Sequence, residues 1–313
     1  MIRKAPALQP PCSVGLIAPA SAPRTGDSLR QGVENLAARG IKVVTKRPSF
    51  DATGYLAGTD EDRLGELNAF LQDDSVDALF CVRGGYGSLR ILSQIDYEAA
   101  RTHPKLLVGY SDTTALQLAL FRHAGWIGIS GPMVAVEWSE SSCPSCDHFL
   151  DLVSPSFEPG DLDPSHPKMS ALVEGSACGR LLGGNLSLIT RLIGTEFLPD
   201  LAGCVLFLEE VGEAPYRVDG LLAQMQLAGI LDSLAGVVLG GFTEGEVETG
   251  KPSLTLEEVF DDYFGDLGIP VATGLRYGHY SDKISIPVGV QCQLDASGGS
   301  ASLTLMEAPV VTS

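Results

Sequence analysis

The 313-residue chain is short of positive charge, with 21 lysines and arginines against 39 aspartates and glutamates and a formal net charge of −18. A surface this acidic repels phosphate backbones and anionic headgroups, which argues against nucleic-acid and membrane partners. It says little about a small substrate, which feels only the local field of its pocket. No apolar run approaches the ~20 residues that a membrane-spanning helix needs. A clean signal peptide is also missing: "VGLIAPASA" offers an apolar stretch with a small-residue end, but Pro10, Pro11 and Pro19 interrupt it. Val14 to Ala18 therefore reads as a first buried strand, in a protein expected to be cytoplasmic. The seven cysteines are odd in number and scattered, at Cys12, Cys81, Cys143, Cys146, Cys178, Cys204 and Cys292. They form no disulfide framework, which favours a reducing compartment. Cys143, Cys146 and His148 in "SSCPSCDHF" stand apart, yet one CxxC without a second ligand pair is a weak metal signal. A loop with free thiols is expected there. No internal repeat is visible.

Against these absences, 44% hydrophobic and 19% charged residues suit a soluble globular chain long enough for about two domains. The first half alternates strand and helix signals. "SVGLIAPAS", "IKVVTKR", "VDALFCVRGGYG" and "KLLVGYS" read as buried strands. Between them, Asp27 to Arg39 and Asp60 to Asp73 read as helices, the second with Leu64, Leu67 and Leu71 on one face, and Ser88 to Leu92 starts another. Continuous apolar strands alternating with amphipathic helices predict a doubly wound parallel sheet. Ligands bind such sheets at the carboxyl ends of the strands. The loops Ala18–Ser21, Arg83–Gly87 and Tyr110–Asp112 are thus the ones to watch. From residue 139 to 168, Ser, Pro, Cys, Asp and Gly crowd together and helical periodicity disappears, as in a linker. Beyond it come short strands with glycine turns, ending in a hairpin around "DASGG", and helices over Leu186–Ile193, Tyr216–Ala228 and Leu256–Phe264. The expected fold is α/β: a parallel-sheet domain over 1–138, a linker over 139–168, and a smaller β-rich domain over 169–313.

Four stretches carry chemistry. In "LLVGYSDTTALQLALF", Ser111 stands where a buried strand turns directly into a helix. It either caps the helix or forms a nucleophile elbow beside an oxyanion-binding N–H. "VRGGYGS" points backbone N–H groups into one concavity; it fits a tight turn, a phosphate cradle or an oxyanion donor, although its spacing matches neither GxGxxG nor a P-loop. "LFLEEVGEAPYRVD" ends a strand on Glu209 and Glu210, which alternation sends to opposite faces, one to a cleft and one to solvent. His279, one of five histidines, lies in a connecting loop between Gly278 and Tyr280 and suits general-base work near neutral pH. Serine, glutamate and histidine, each at the end of an element, fit nucleophilic acyl transfer.

"RGGYGS", "GYSDTTAL", "GGNLSLI", "LFLEEVGEAPYRVD" and "GHYSDKISIPVG" together resemble, in order and over essentially the whole chain, the L,D-carboxypeptidase family of serine peptidases. The resemblance implies Ser111 as nucleophile, His279 as general base and Glu209, directly after the apolar strand, as the residue that orients the histidine. It implies an oxyanion hole from the backbone N–H groups of Gly85 and Asp112, and needs no metal or cofactor. It implies a flavodoxin-like first domain, a β-rich second one, often dimeric, and a murein tetrapeptide cut before its terminal D-alanine. Tyr280 and Ser281 depart from the glycine that many members carry after the histidine. Arg83 and Arg217 are candidates for the group that holds the substrate's carboxylate. The alternatives are a microcin-immunity type of serine peptidase acting on peptidyl nucleotides, and a non-catalytic small-ligand binding protein on the same scaffold.

Overall fold

A computed structural model describes residues 1–166, 168–246 and 250–312. In its first half lie β1 (Cys12–Ile17), β2 (Ile41–Val44), β3 (Ala78–Cys81), β4 (Leu106–Val108) and β5 (Gly128–Ser130). They are followed by β6 (Met169–Val173), β7 (Gly175–Asn185), β8 (Val205–Val211), β9 (Gly236–Thr243) and β10 (Val271–Thr273). The last strands are β11 (Ile286–Val288), β12 (Gln291–Ser297) and β13 (Ser300–Leu305). The helices are α1 (Gly26–Ala38), α2 (Asp60–Leu71), α3 (Tyr97–Thr102), α4 (Thr113–Ala124), α5 (Pro144–Leu152), α6 (Leu186–Leu192), α7 (Pro215–Leu227) and α8 (Leu256–Phe264). No helix among the described residues is long and apolar enough to cross a membrane.

The chain divides into two compact units. The first comprises Met1–Phe157, Ile284–Gly289 and Ala308–Ser313, and holds a six-stranded sheet in the order β11-β5-β4-β3-β1-β2. Strands β1 to β5 run parallel, and β11 is antiparallel to β5. Every residue of β3, β4 and β5 is buried, as parallel strands covered on both faces require. On α2, Leu67, Phe70 and Leu71 are buried, and a capping box between Thr59 and Asp62 starts the helix. The helix expected from Ser88 is instead two single 3₁₀ turns, Ser88–Arg90 and Leu92–Gln94.

The second unit, Glu158–Lys283 with Val290–Glu307, closes seven strands into a barrel in the order β10-β6-β13-β12-β7-β8-β9. Strands β7, β8, β9 and β10 are mutually parallel, so their carboxyl ends share one rim. The "DASGG" hairpin is present: β12 and β13 pair antiparallel through Gly298 and Gly299, whose φ values are 59° and 77°. Such a two-residue turn with both φ positive matches the twist of the strands it joins.

Two organisational expectations need correction. The segment 139–168 is not a structureless linker, because α5 lies inside it, with Pro144 in its first turn and Cys143 accepting from the Cys146 N–H. Phe149 of α5 packs edge-on against Phe80 and Trp138, which ties the helix into the first unit's core. Nor does the chain divide only once. It returns to the first unit for β11, so "ISIPVG" is separate from the hairpin that follows it.

Candidate active site

Ser111 sits at the carboxyl end of β4, after Gly109 and Tyr110. Its φ is 65°, a left-handed conformation shared among the described non-glycine residues only by Glu244. Holding a serine there costs about 1–3 kcal/mol, so the surroundings must over-determine it. They do so from both sides. The Tyr110 hydroxyl donates to Glu137 Oε1 at 2.8 Å, and Gln117 Nε2 donates to the carbonyls of Gly109 and Ile129 at 2.9 and 2.8 Å. After the serine, α4 begins at once, with the Thr114 N–H donating to the Ser111 carbonyl at 2.9 Å. The N-cap of α4 is Asp112, which makes no side-chain cap bond. These angles and contacts are those of a sharp strand-to-helix elbow and not of a capping serine.

Asp112 is buried, and its carboxylate accepts from the Gly87 N–H at 3.3 Å and the Ser88 N–H at 2.8 Å. That anchors the glycine loop against the elbow. Gly84 fits so closely that a Cβ on it would lie 2.8 Å from Ser111 Cβ and 3.0 Å from Oγ. Gly85 has φ 113°, and a Cβ there would meet Ser21 Oγ at 2.4 Å. Ser21 joins two loops, accepting from the Tyr86 N–H at 3.2 Å and donating to the Tyr55 carbonyl at 2.7 Å. Beneath them the buried guanidinium of Arg63 donates to the carbonyls of Pro19 and Gly87 and pairs with Asp60. The N–H groups of Gly85 and Asp112 have no acceptor among the described residues. Two unclaimed donors beside a strained serine can hold a developing oxyanion.

In the second unit, Glu209 and Glu210 stand near the carboxyl end of β8, followed there by Val211. Glu209 is fully buried, and its Oε2 lies 2.7 Å from His279 Nδ1. Its Oε1 accepts from Asn185 Nδ2 at 3.2 Å. A carboxylate only accepts, so Nδ1 carries the proton in this pair and Nε2 is left as the basic nitrogen. His279 reaches this position on a loop after β10 that docks on the barrel. The Gly241 N–H donates to the Tyr277 carbonyl at 2.7 Å, and Tyr277 packs edge-on against Phe207 at 5.4 Å between centroids. Gly278 takes φ 149°, a value natural only for glycine. Tyr280 folds back over Gly241, where a Cβ would meet its ring at 2.5 Å.

Glu210 contradicts the expectation that alternation would send it to solvent. It is 3% exposed and accepts from Asn185 Nδ2 at 2.9 Å, the Ser187 N–H at 2.8 Å and the Val211 N–H at 2.9 Å. The cause is that β8 is buried at every residue from Val205 to Glu210, so both of its faces are covered and a side chain turned away from Glu209 meets Asn185 and the start of α6 instead of solvent. Asn185, which is not among the residues expected of the site, serves both carboxylates through Nδ2 while its Oδ1 caps α6. Its sequence signal is an Asn immediately before the helix pattern "LSLI".

The remaining candidates separate. Cys143 and Cys146 are joined by a disulfide, so the expectation of free thiols there is wrong; Cys12, Cys81, Cys178, Cys204 and Cys292 are free. His148 Nδ1 accepts from the Ser285 N–H at 3.2 Å. No three His, Cys, Asp or Glu side chains among the described residues gather as a metal site would require. Arg217 lies exposed on α7, 3.5 Å from Glu213 and bonded to the Tyr216 hydroxyl at 2.9 Å. It lines a cavity of about 680 Å³ with Tyr216, Asp219 and Lys251, and neither Glu209 nor His279 faces that space. Arg83 lies in the glycine loop, its one hydrogen bond among the described residues running from Nη1 to the Ala22 carbonyl at 3.3 Å.

Residues 14–131 match the family model described as the LD-carboxypeptidase N-terminal domain, and residues 178–294 match the LD-carboxypeptidase C-terminal domain. A protein named "Probable murein peptide carboxypeptidase" from Bacillus subtilis is 35% identical over 305 residues, covering 92% of this chain and 90% of its own. The crystal structure of a muramoyltetrapeptide carboxypeptidase from Oxalobacter formigenes superposes with a TM-score of 0.83 at 30% identity, over 95% of this chain and all of that one. The microcin C7 self-immunity protein MccF shares the fold, with a TM-score of 0.87 at 24% identity over 98% of this chain and 99% of its own.

Proposed function

The chain belongs to the LD-carboxypeptidase family of peptidases, and from that premise we propose that it is a serine-type enzyme releasing the terminal D-alanine of murein tetrapeptides in the cytoplasm. Ser111 Oγ attacks the carbonyl of the L,D bond. His279 Nε2 takes the serine proton and returns it to the leaving D-alanine amine, which frees an acyl-enzyme for hydrolysis. Glu209 holds the imidazole in the required tautomer and favours the imidazolium that forms. The N–H groups of Gly85 and Asp112 receive the oxyanion. The observation that carries the reading is the His279–Glu209 pair at 2.7 Å, a base with its orienting carboxylate already in contact. The left-handed Ser111 supports it independently. A flavodoxin-like classification of the first unit is part of the proposal, supported by its parallel order β2-β1-β3-β4-β5. So is a homodimer, which family resemblance supports and sedimentation would check. The test is to incubate the enzyme with murein tetrapeptide and measure free D-alanine, with a peptidyl nucleotide as the competing substrate. Cleavage of the nucleotide alone would reassign the substrate, and turnover unchanged in Ser111→Ala would remove the serine mechanism.

A further inference from the structure

A carboxypeptidase must distinguish a chain end from an internal bond, and the feature that marks a chain end is a free carboxylate close to the scissile carbonyl. The two candidate arginines differ in whether they are free to meet it. Arg217 is already engaged by Glu213 and by the Tyr216 hydroxyl. Arg83 immediately precedes Gly84, the residue packed against Ser111, and its Nη2 lies 3.5 Å from where a Cβ on Gly85 would be. It has no acidic partner among the described residues, its one hydrogen bond going to a backbone carbonyl. The neighbouring Arg24 is exposed and also pairs with no carboxylate there. This is unusual in a chain with 39 acidic and 21 basic residues, where carboxylates are plentiful. Burial, and after it the charge of Arg24, holds the Arg83 guanidinium below its ordinary pKa range, with Tyr110 acting in the opposite direction.

Resting on the serine peptidase reading of this same site, we propose that Arg83, assisted by Arg24, binds the free C-terminal carboxylate of the substrate and thereby restricts cleavage to the last peptide bond. A guanidinium presents a planar fork of donors that matches a carboxylate, and its position beside the oxyanion loop puts the negative group within one residue of the attacked carbonyl. The incoming anion relieves the repulsion between the two arginines, so binding and charge compensation are the same event.

The test compares murein tetrapeptide ending in D-alanine with its C-terminal amide. Titration calorimetry on the Ser111→Ala protein should show the acid binding at least about tenfold tighter than the amide, the scale of one charge-assisted hydrogen-bonded contact. Arg83→Gln in that background should bring the acid down to the level of the amide, and Arg83→Lys should restore part of the difference. In the active enzyme, Arg83→Gln should raise KM for the acid about 10- to 100-fold with a smaller change in kcat. A preference for the acid that survives Arg83→Gln, equal binding of acid and amide, or binding of neither, would overturn the assignment. Release of D-alanine by the unmodified enzyme is scored separately. Release without discrimination between acid and amide removes the clamp alone, whereas no release removes the peptidase reading on which it rests.

Discussion

The adjacent carboxylates Glu209 and Glu210 offer a sharp test, because one substitution made twice should fail in two different ways. In Glu210→Gln the amide group must replace one carboxylate oxygen. Placed at Oε2 it faces the Ser187 N–H, and placed at Oε1 it faces both Asn185 Nδ2 and the Val211 N–H. Either way a buried donor meets a donor, so the better choice still leaves the Ser187 N–H unsatisfied at about 1–3 kcal/mol. The expected result is a lower melting temperature with kcat largely retained in the folded fraction. In Glu209→Gln, carbonyl oxygen facing His279 preserves the 2.7 Å contact, while the new amide confronts Asn185 Nδ2. The stability loss is of similar size, but the negative charge that favours the imidazolium is gone. A fall in kcat of roughly 10²–10⁴ follows if the histidine works as a triad base. Thermal melts and initial rates of D-alanine release on both variants decide between these outcomes. A severe loss of kcat in Glu210→Gln at unchanged melting temperature, with Glu209→Gln nearly wild type, would refute the assignment of roles.

Three further outcomes are expected. Ser111→Ala and His279→Ala should each lower D-alanine release by several orders of magnitude, and the double variant should be little worse, since groups acting as a unit are not additive; additive losses in the rate assay would mean that they act separately. Gly84→Ala places a methyl 2.8 Å from Ser111 Cβ, so the serine must shift, and kcat should drop about 10²-fold with only a small change in melting temperature; a fully active variant would show that the elbow tolerates displacement. Burial pushes the Glu66 carboxyl above its usual range, against the lowering effect of its bonds to the Ala18 N–H and Arg47. The folded state therefore binds the proton more tightly than the unfolded chain, and stability falls as pH rises from the ordinary carboxyl value through the folded one. Glu66→Gln should remove that slope in urea unfolding measured across the acid range, and an unchanged slope would assign it to other groups.

The parallel sheet was legible because its signals are local. A buried strand such as "ALFC" is continuously apolar, and an amphipathic helix such as α2 repeats its leucines at helical spacing. The three-residue strands β5 and β11 carry too little pattern to be seen: β5 is placed by pairing with β4 on one side and β11 on the other, and β11 begins 158 positions after β5, at Ile286 against Gly128. The helix α5 was lost for a different reason. Its Ser-Cys-Pro-Ser-Cys start has the composition of a loop, although proline in the first helical turn is also a start signal, and Cys143 takes the capping place usually held by an oxygen.

The site divides along the same line. Ser111 was visible because an elbow is a local event, a strand's last residues followed without spacer by a helix's first. The burial of Glu210 was not, because alternation says that neighbouring side chains take opposite faces but not whether the second face is covered, and what covers β8 there is Asn185 and α6, which come from elsewhere in the chain. Two adjacent carboxylates can both be buried there because Asn185, at the end of β7, supplies Nδ2 to each while its Oδ1 stays committed to the Leu188 N–H. The side chain is thus held the same way round by the cap at one end and the acids at the other. Asn185→Asp keeps a capping oxygen but turns the shared donor into a third carboxylate oxygen facing two others. The barrel rim should then open or take up a proton, and the His279–Glu209 pair should lose its geometry before the barrel itself unfolds. D-alanine release that is impaired at neutral pH and recovers on acidification, at a melting temperature still near wild type, would locate the effect at that donor. Release unchanged from wild type at every pH would assign Asn185 to the helix cap alone, since the variant keeps that cap.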